Sequence, residues 1–232
     1  MTSVRLFVAV LALAAAPAAA QDQEARARAL MVEQQIAARG VRDTATLRAM
    51  RTVPRHLFVP DDVRSAAYED YPLPIGLGQT ISQPYIVAYM TEQLRLRRGD
   101  RVLEVGTGSG YQAAVLAEIV AEVYTIEIVP PLAQEAAVRL GRLGYSRVRT
   151  RTGDGYNGWP EAAPFDAIIV TAAAGFVPPP LVEQLRPGGR MIIPVGETSA
   201  VQELMVVEKA VNGRTATRTL IPVRFVPLTR NP

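Results

Sequence analysis

The chain has 232 residues, 49% of them hydrophobic and 20% charged, with a net charge of +3, a balance that supports one full core and is not that of a disordered chain. Cysteine is absent, which excludes thiolate catalysis, sulfur-bound zinc and disulfides, and the single histidine, His56, leaves no multi-histidine metal site, so no metal is expected. The basic residues are scattered and almost all arginine, Lys209 being the one lysine, with no interleaved aromatic stripe, so nucleic acid is not an expected partner.

Met1–Ala20 carries one positive charge at Arg5, an apolar run from Leu6 to Ala16, and Ala18-Ala19-Ala20 ahead of the polar Gln21-Asp22-Gln23. That is the layout of a secretory signal peptide with a small-residue cleavage site. The competing reading is an alanine-rich helix packed on the domain, but the run has no polar face. It is also short for a bilayer span, which needs about 20 apolar residues. The expectation is a cleaved leader at 1–20 and a single domain over 21–232, periplasmic or secreted if the leader is functional.

From Gln23 to Arg39 the pattern predicts an amphipathic helix stopped by Gly40, and a short helix starts at Asp43 or Thr44. Pro54 to Gln83, broken by Pro54, Pro60, Pro72, Pro74, Gly76 and Gly78, reads as an ordered loop. Within it His56 sits between apolar neighbours and reads as a structural residue; a Ser-His-Asp triad would depend on it alone. A helical pattern runs from Tyr85 to Leu94. Strands are then expected at Arg101–Val105, Val123–Ile128, Arg147–Arg151, Phe165–Thr171 and Arg190–Val195, and helices at Tyr111–Ala121, Leu132–Leu143 and Pro180–Leu185. Such alternation means a mostly parallel, doubly wound sheet covered on both faces. Val201–Glu208 and Thr215–Phe225 around Asn212-Gly213 predict a C-terminal hairpin.

The first of these strands runs into Gly106-Thr107-Gly108-Ser109-Gly110, and a helix follows at once. Three glycines in five residues exceed what a plain turn needs and allow close approach of a ligand to the backbone. A nicotinamide dinucleotide is the competing ligand, but its G-x-G-x-x-G spacing is not met, since Tyr111 stands where the third glycine belongs. No Lys-Ser or Lys-Thr follows for a Walker loop. Glu104 before the loop and Glu127 at the end of the next strand instead resemble the adenosylmethionine site of class I, Rossmann-like methyltransferases. Glu127 is placed to accept from both ribose hydroxyls, or is a solvated strand-end acid. Gly153-Asp154-Gly155 ends the third strand, where Asp154 is either an adenine contact or a turn residue.

More specific segments surround this loop. Val53-Pro54-Arg55-His56-Leu57-Phe58-Val59, Ala67-Tyr68, and Pro74-Ile75-Gly76-Leu77-Gly78-Gln79-Thr80-Ile81-Ser82-Gln83-Pro84-Tyr85 resemble the hallmark of protein-L-isoaspartate O-methyltransferases. Leu103–Tyr111, Gly153-Asp154-Gly155, Phe165–Thr171 and Leu185–Arg190 agree in order, and the likeness runs from about Met31 to Thr229. It implies S-adenosyl-L-methionine as cofactor and methyl transfer to the free α-carboxylate of L-isoaspartyl residues in damaged proteins or peptides, with D-aspartyl acceptance left open. The resemblance also implies that Gln79, Thr80, Ile81 and Ser82 line the cofactor and substrate site. It places Gly106 and Gly108 at the methionine moiety, Glu127 at the ribose, Asp154 and Gly155 at the adenine, Ile128 among the cofactor contacts, and Thr229 near the pocket. Ser82 is the candidate catalytic residue, though from sequence it also fits the N-cap of the helix behind Pro84. The family is generally cytoplasmic, at odds with the leader; a true start at Met31 or a fold that binds without turnover are competing readings. A monomer is expected.

Overall fold

The alternation of strand and helix signals after Arg101 builds one seven-stranded sheet with helices on both faces. The computed structural model describes residues 15–197 and 200–230, with side chains from Gln23 onward. The expected leader lies outside the described residues as far as residue 14.

Helix α1 (Ala15–Leu30) passes through a π turn, Met31–Ile36, and a 3-10 turn, Ala37–Arg39, and stops at Gly40, whose φ of 98° suits a residue without a Cβ. Helix α2 (Thr44–Thr52) starts where expected, because Asp43 Oδ2 accepts from the Thr46 N–H at 2.7 Å. The segment read as a loop, Pro54 to Gln83, holds more structure than that. Two 3-10 turns, Arg55–Phe58 and Asp61–Ala66, precede a small hairpin of β1 (Leu73–Gly76) and β2 (Gln79–Ile81). Its turn residues Leu77 and Gly78 have φ of 52° and 73°, the twist a two-residue hairpin needs. Helix α3 (Pro84–Gln93) follows directly.

The main sheet contains β3 (Arg101–Val105), β4 (Glu122–Glu127), β5 (Arg149–Thr152), β6 (Phe165–Val170), β7 (Leu185–Val195), β8 (Gln202–Lys209) and β9 (Thr215–Val223) in the order β5-β4-β3-β6-β7-β8-β9. The first five are parallel, while β8 and β9 form the antiparallel hairpin expected at Asn212-Gly213. Helix α4 (Tyr111–Ala117) ends four residues before the expected Ala121, and α5 (Pro130–Arg142) begins two before Leu132 because its paired prolines sit where no N–H is needed. Helix α6 (Pro179–Gln184) leads into β7.

Strand periodicity sorts the core into two layers. Val102, Ile169 and Ile192 face α3, α4 and the N-terminal helices, whereas Leu103, Ile168 and Met191 face Leu181 of α6. Ile168 and Ile169 are fully buried, and each such side chain stabilises the fold by roughly 1.5–3 kcal/mol. The packed sheet is thus a rigid base for the loops at its carboxyl edge.

Candidate active site

The sheet order reverses between β3 and β6, so the loops leaving these strands diverge and open a crevice at their carboxyl ends. The glycine loop forms its floor. Gly106 N–H donates to Ile126 O at 2.8 Å, and Gly108 N–H donates to Glu127 Oε2 at 2.8 Å. A Cβ on Gly106 would lie 2.5 Å from Thr171 Oγ1, and its φ is 98°, so both space and backbone demand glycine there. Thr171 in turn donates to Gly106 O at 2.7 Å. Gly155 is constrained by space alone, since a Cβ there would collide with Val105 Cγ1.

Two carboxylates close the strand ends. Glu104 is fully buried; its Oε2 accepts from Thr125 Oγ1 at 2.6 Å and its Oε1 has no partner. Burial pushes the Glu104 carboxyl up to about 8, opposed by the Thr125 hydrogen bond and reinforced by the nearby Glu127 charge. A buried, half-satisfied carboxyl in a cleft wall is costly and suits a ligand that brings a donor or a positive charge. Glu127 is nearly buried, and its Oε1 accepts from Val129 N–H at 3.0 Å while Oε2 holds Gly108.

Among the candidate residues, Gln79, Thr80, Ile81, Ser82, Glu104, Gly106, Gly108, Glu127, Ile128, Gly155 and Thr229 all line this cleft. Asp154 does not. Its Oδ1 caps the 3-10 turn Gly155–Asn157 by accepting from Tyr156 N–H at 2.9 Å, and its Oδ2 lies 3.6 Å from Arg230 Nε. The Arg230 guanidinium also sits 3.8 Å from the centre of the Tyr156 ring. Residues Val226–Thr229 form a strap beside the cleft, fixed by Ala173 N–H to Val226 O at 2.8 Å and Leu228 N–H to Ala173 O at 2.7 Å. His56 is outside the cleft, with Nδ1 2.6 Å from the Tyr68 hydroxyl.

A second cavity adjoins the first. The two share Thr80, Ser82, Thr171 and Val226, and the second is otherwise walled by Pro72, Gln83, Ile86, Val201 and the Pro222–Phe225 segment. Ser82 therefore stands on the boundary between them. The N-cap role open to Ser82 is not what the fold uses: with Pro84 at the first helical position the cap is Gln83, and the Ser82 hydroxyl makes no hydrogen bond among the described residues. Thr171 escaped the sequence reading because it signals only as the last residue of an apolar strand.

Residues 25–232 match the model of the protein-L-isoaspartate(D-aspartate) O-methyltransferase (PCMT) family. A protein-L-isoaspartate O-methyltransferase from Opitutus terrae is 66% identical over 203 residues, 88% of this chain and 87% of that one. A solved protein-L-isoaspartate O-methyltransferase superposes with a TM-score of 0.79 at 31% identity, over 88% of this chain and 65% of that chain. A Plasmodium falciparum structure assigned to the same enzyme, in complex with S-adenosyl-L-homocysteine, gives 0.77 at 28% identity, over 88% of this chain and 99% of that one. Glycine loop, buried strand-end acids and overall likeness agree: this chain belongs to the protein-L-isoaspartate(D-aspartate) O-methyltransferase family.

Proposed function

We propose that the wall shared by the two cavities is where a methyl group passes to the free α-carboxylate of an L-isoaspartyl residue, with Ser82 holding that carboxylate. The chain is an S-adenosylmethionine-dependent methyltransferase by family, and its residues fit that cofactor. The unpaired, buried Glu104 Oε1 suits the cationic amino end of such a molecule, and Glu127 has lone pairs left for hydroxyl donors. When bound, the cofactor supplies an electrophilic methyl group on sulfur.

The chain's own contribution is placement. An α-carboxylate has a pKa of about 3.5 and is already ionised at neutral pH, so no general base is required. That agrees with a cleft in which the buried acid, Glu104, is held protonated at neutral pH rather than poised as a base. Ser82, free of any structural hydrogen bond, can donate to the substrate carboxylate, while the glycine loop and the Val226–Thr229 strap fix the facing wall and limit water. The observation that carries this reading is the position of Ser82 on both cavities. Mass spectrometry of an isoaspartyl peptide incubated with enzyme and adenosylmethionine tests it: a base-labile methyl ester at the isoaspartyl residue, decaying to succinimide, is expected, and an ester elsewhere overturns it.

The same reading includes a cleaved leader at 1–20, a domain over 21–232 acting as a monomer, and a periplasmic or secreted location. Arg5, the apolar run and Ala18-Ala19-Ala20 support it. Among the described residues no helix is long and apolar enough to cross a membrane. N-terminal sequencing of protein from separated periplasm and cytoplasm tests it; a mature chain starting at Met1 in the cytoplasm overturns it.

A further inference from the structure

Helix α3 begins immediately after Ser82, and its first turn is held by a residue from elsewhere in the chain. Asp70 Oδ1 accepts from the Tyr85 N–H at 3.3 Å, and Asp70 Oδ2 accepts from Gln83 Nε2 at 2.8 Å. The same Oδ2 accepts from Arg39 Nη1 at 2.6 Å, and the Arg39 guanidinium lies 3.5 Å from the centre of the Tyr85 ring. A carboxylate thus sits at the helix N-terminus, where its charge is favoured and an N–H lacks an intrahelical partner. Gln83, the N-cap residue, makes no capping bond of its own, and its side chain is spent on Asp70.

We propose that Asp70 is a positioning residue for Ser82: by capping α3 and clamping Gln83, it fixes the backbone at Ser82 while leaving the serine hydroxyl free for substrate. An N-cap side chain ordinarily turns its oxygen onto the backbone of the first turn, and Gln83 does not. Here that work is taken over by a carboxylate anchored through Arg39 to the N-terminal helical run. The N-terminal extension thereby reaches the active site, and Asp70 itself is absent from the walls of both cavities. The proposal rests on Ser82 contacting the substrate.

The test compares full-length wild type with Asp70→Ala, Asp70→Asn, Ser82→Ala and the Asp70→Ala/Ser82→Ala double variant. Unfolding midpoint, adenosylhomocysteine affinity, and kcat and KM for an isoaspartyl peptide are measured for each. In Asp70→Ala, kcat should fall about tenfold to hundredfold from misplacement of the hydroxyl, while adenosylhomocysteine affinity stays within about threefold. Asp70→Asn should recover part of the rate lost in Asp70→Ala, because it keeps an acceptor for the Tyr85 N–H and pairs with a flipped Gln83 amide, while the bond from Arg39 Nη1 to Oδ2 is lost. The double variant should be no slower than the slower single variant, because both lesions act on one hydroxyl. If Asp70→Ala does not fold, Arg39→Met, which removes the Asp70 anchor and lines neither cavity, takes its place in both comparisons, with a smaller loss expected. Wild-type kcat in a folded Asp70→Ala or in Ser82→Ala, or losses that multiply in the double variant, overturns the proposal. A wild type that binds adenosylhomocysteine yet methylates no isoaspartyl peptide sinks the functional reading instead.

Discussion

Glu127 Oε2 accepts the backbone N–H of Gly108 at 2.8 Å, so the carboxylate that ends β4 also holds the middle of the glycine loop. One side chain sets the floor of the cleft and offers its remaining lone pairs to it. Glu127→Ala should weaken adenosylhomocysteine binding by roughly tenfold to hundredfold, the effect of losing about 1.5–3 kcal/mol of hydrogen bonding to a charged acceptor. Titration calorimetry reads this directly. Unchanged affinity would return Glu127 to a purely structural role in the loop.

Glu104 gives a pH dependence whose sign follows from burial. Its folded pKa, raised to about 8, lies above the value of about 4.3 for an unfolded glutamate. The folded state therefore holds the proton more tightly, so this group's contribution to stability is present below about 4.3 and is lost as pH rises towards the folded value. Glu104→Gln should remove that decline, giving a flatter profile of unfolding midpoint against pH between 5 and 8. In the wild type, a cationic ligand beside Glu104 should expel its proton, so binding heats for adenosylhomocysteine should differ between phosphate and Tris buffers at pH 7. Parallel stability profiles for both proteins would contradict the buried, protonated state.

Ser82 caps nothing, and this changes what its removal should do. Ser82→Ala and Ser82→Gly should both leave the unfolding free energy within about 0.5 kcal/mol for Ala and about 1 kcal/mol for Gly. Both should slow methyl transfer by about tenfold to hundredfold, because the lost contact is geometric. Raising the pH should not restore the rate, since the nucleophile is already ionised. Near-wild-type initial rates in both variants would remove Ser82 from the reaction.

Much of the site was legible because its signals are local. The run Glu104 to Tyr111 is strand, glycine turn and helix in succession, and Glu127 ends the neighbouring strand in register, Val105 pairing with Ile126. The hairpin Leu73–Ile81 was not, because strands of four and three residues broken by Pro74 and Gly76 show no usable alternation. Of the two roles open to Ser82 the cap falls away, since Pro84 at the first helical position puts the cap at Gln83. Asp70 carried no signal at all: its partners lie 13, 15 and 31 residues away, and only the folded chain brings them together.

The most direct test of the account is a comparison of kcat/KM for one peptide made with L-isoaspartyl and with L-aspartyl at the same position. With wild-type enzyme and labelled adenosylmethionine, the isoaspartyl form should acquire a methyl ester and the aspartyl form should not. Equal labelling of the two, or labelling of neither by protein that binds adenosylhomocysteine, would contradict the assignment of the cleft and its Ser82 wall to isoaspartyl carboxylate methylation.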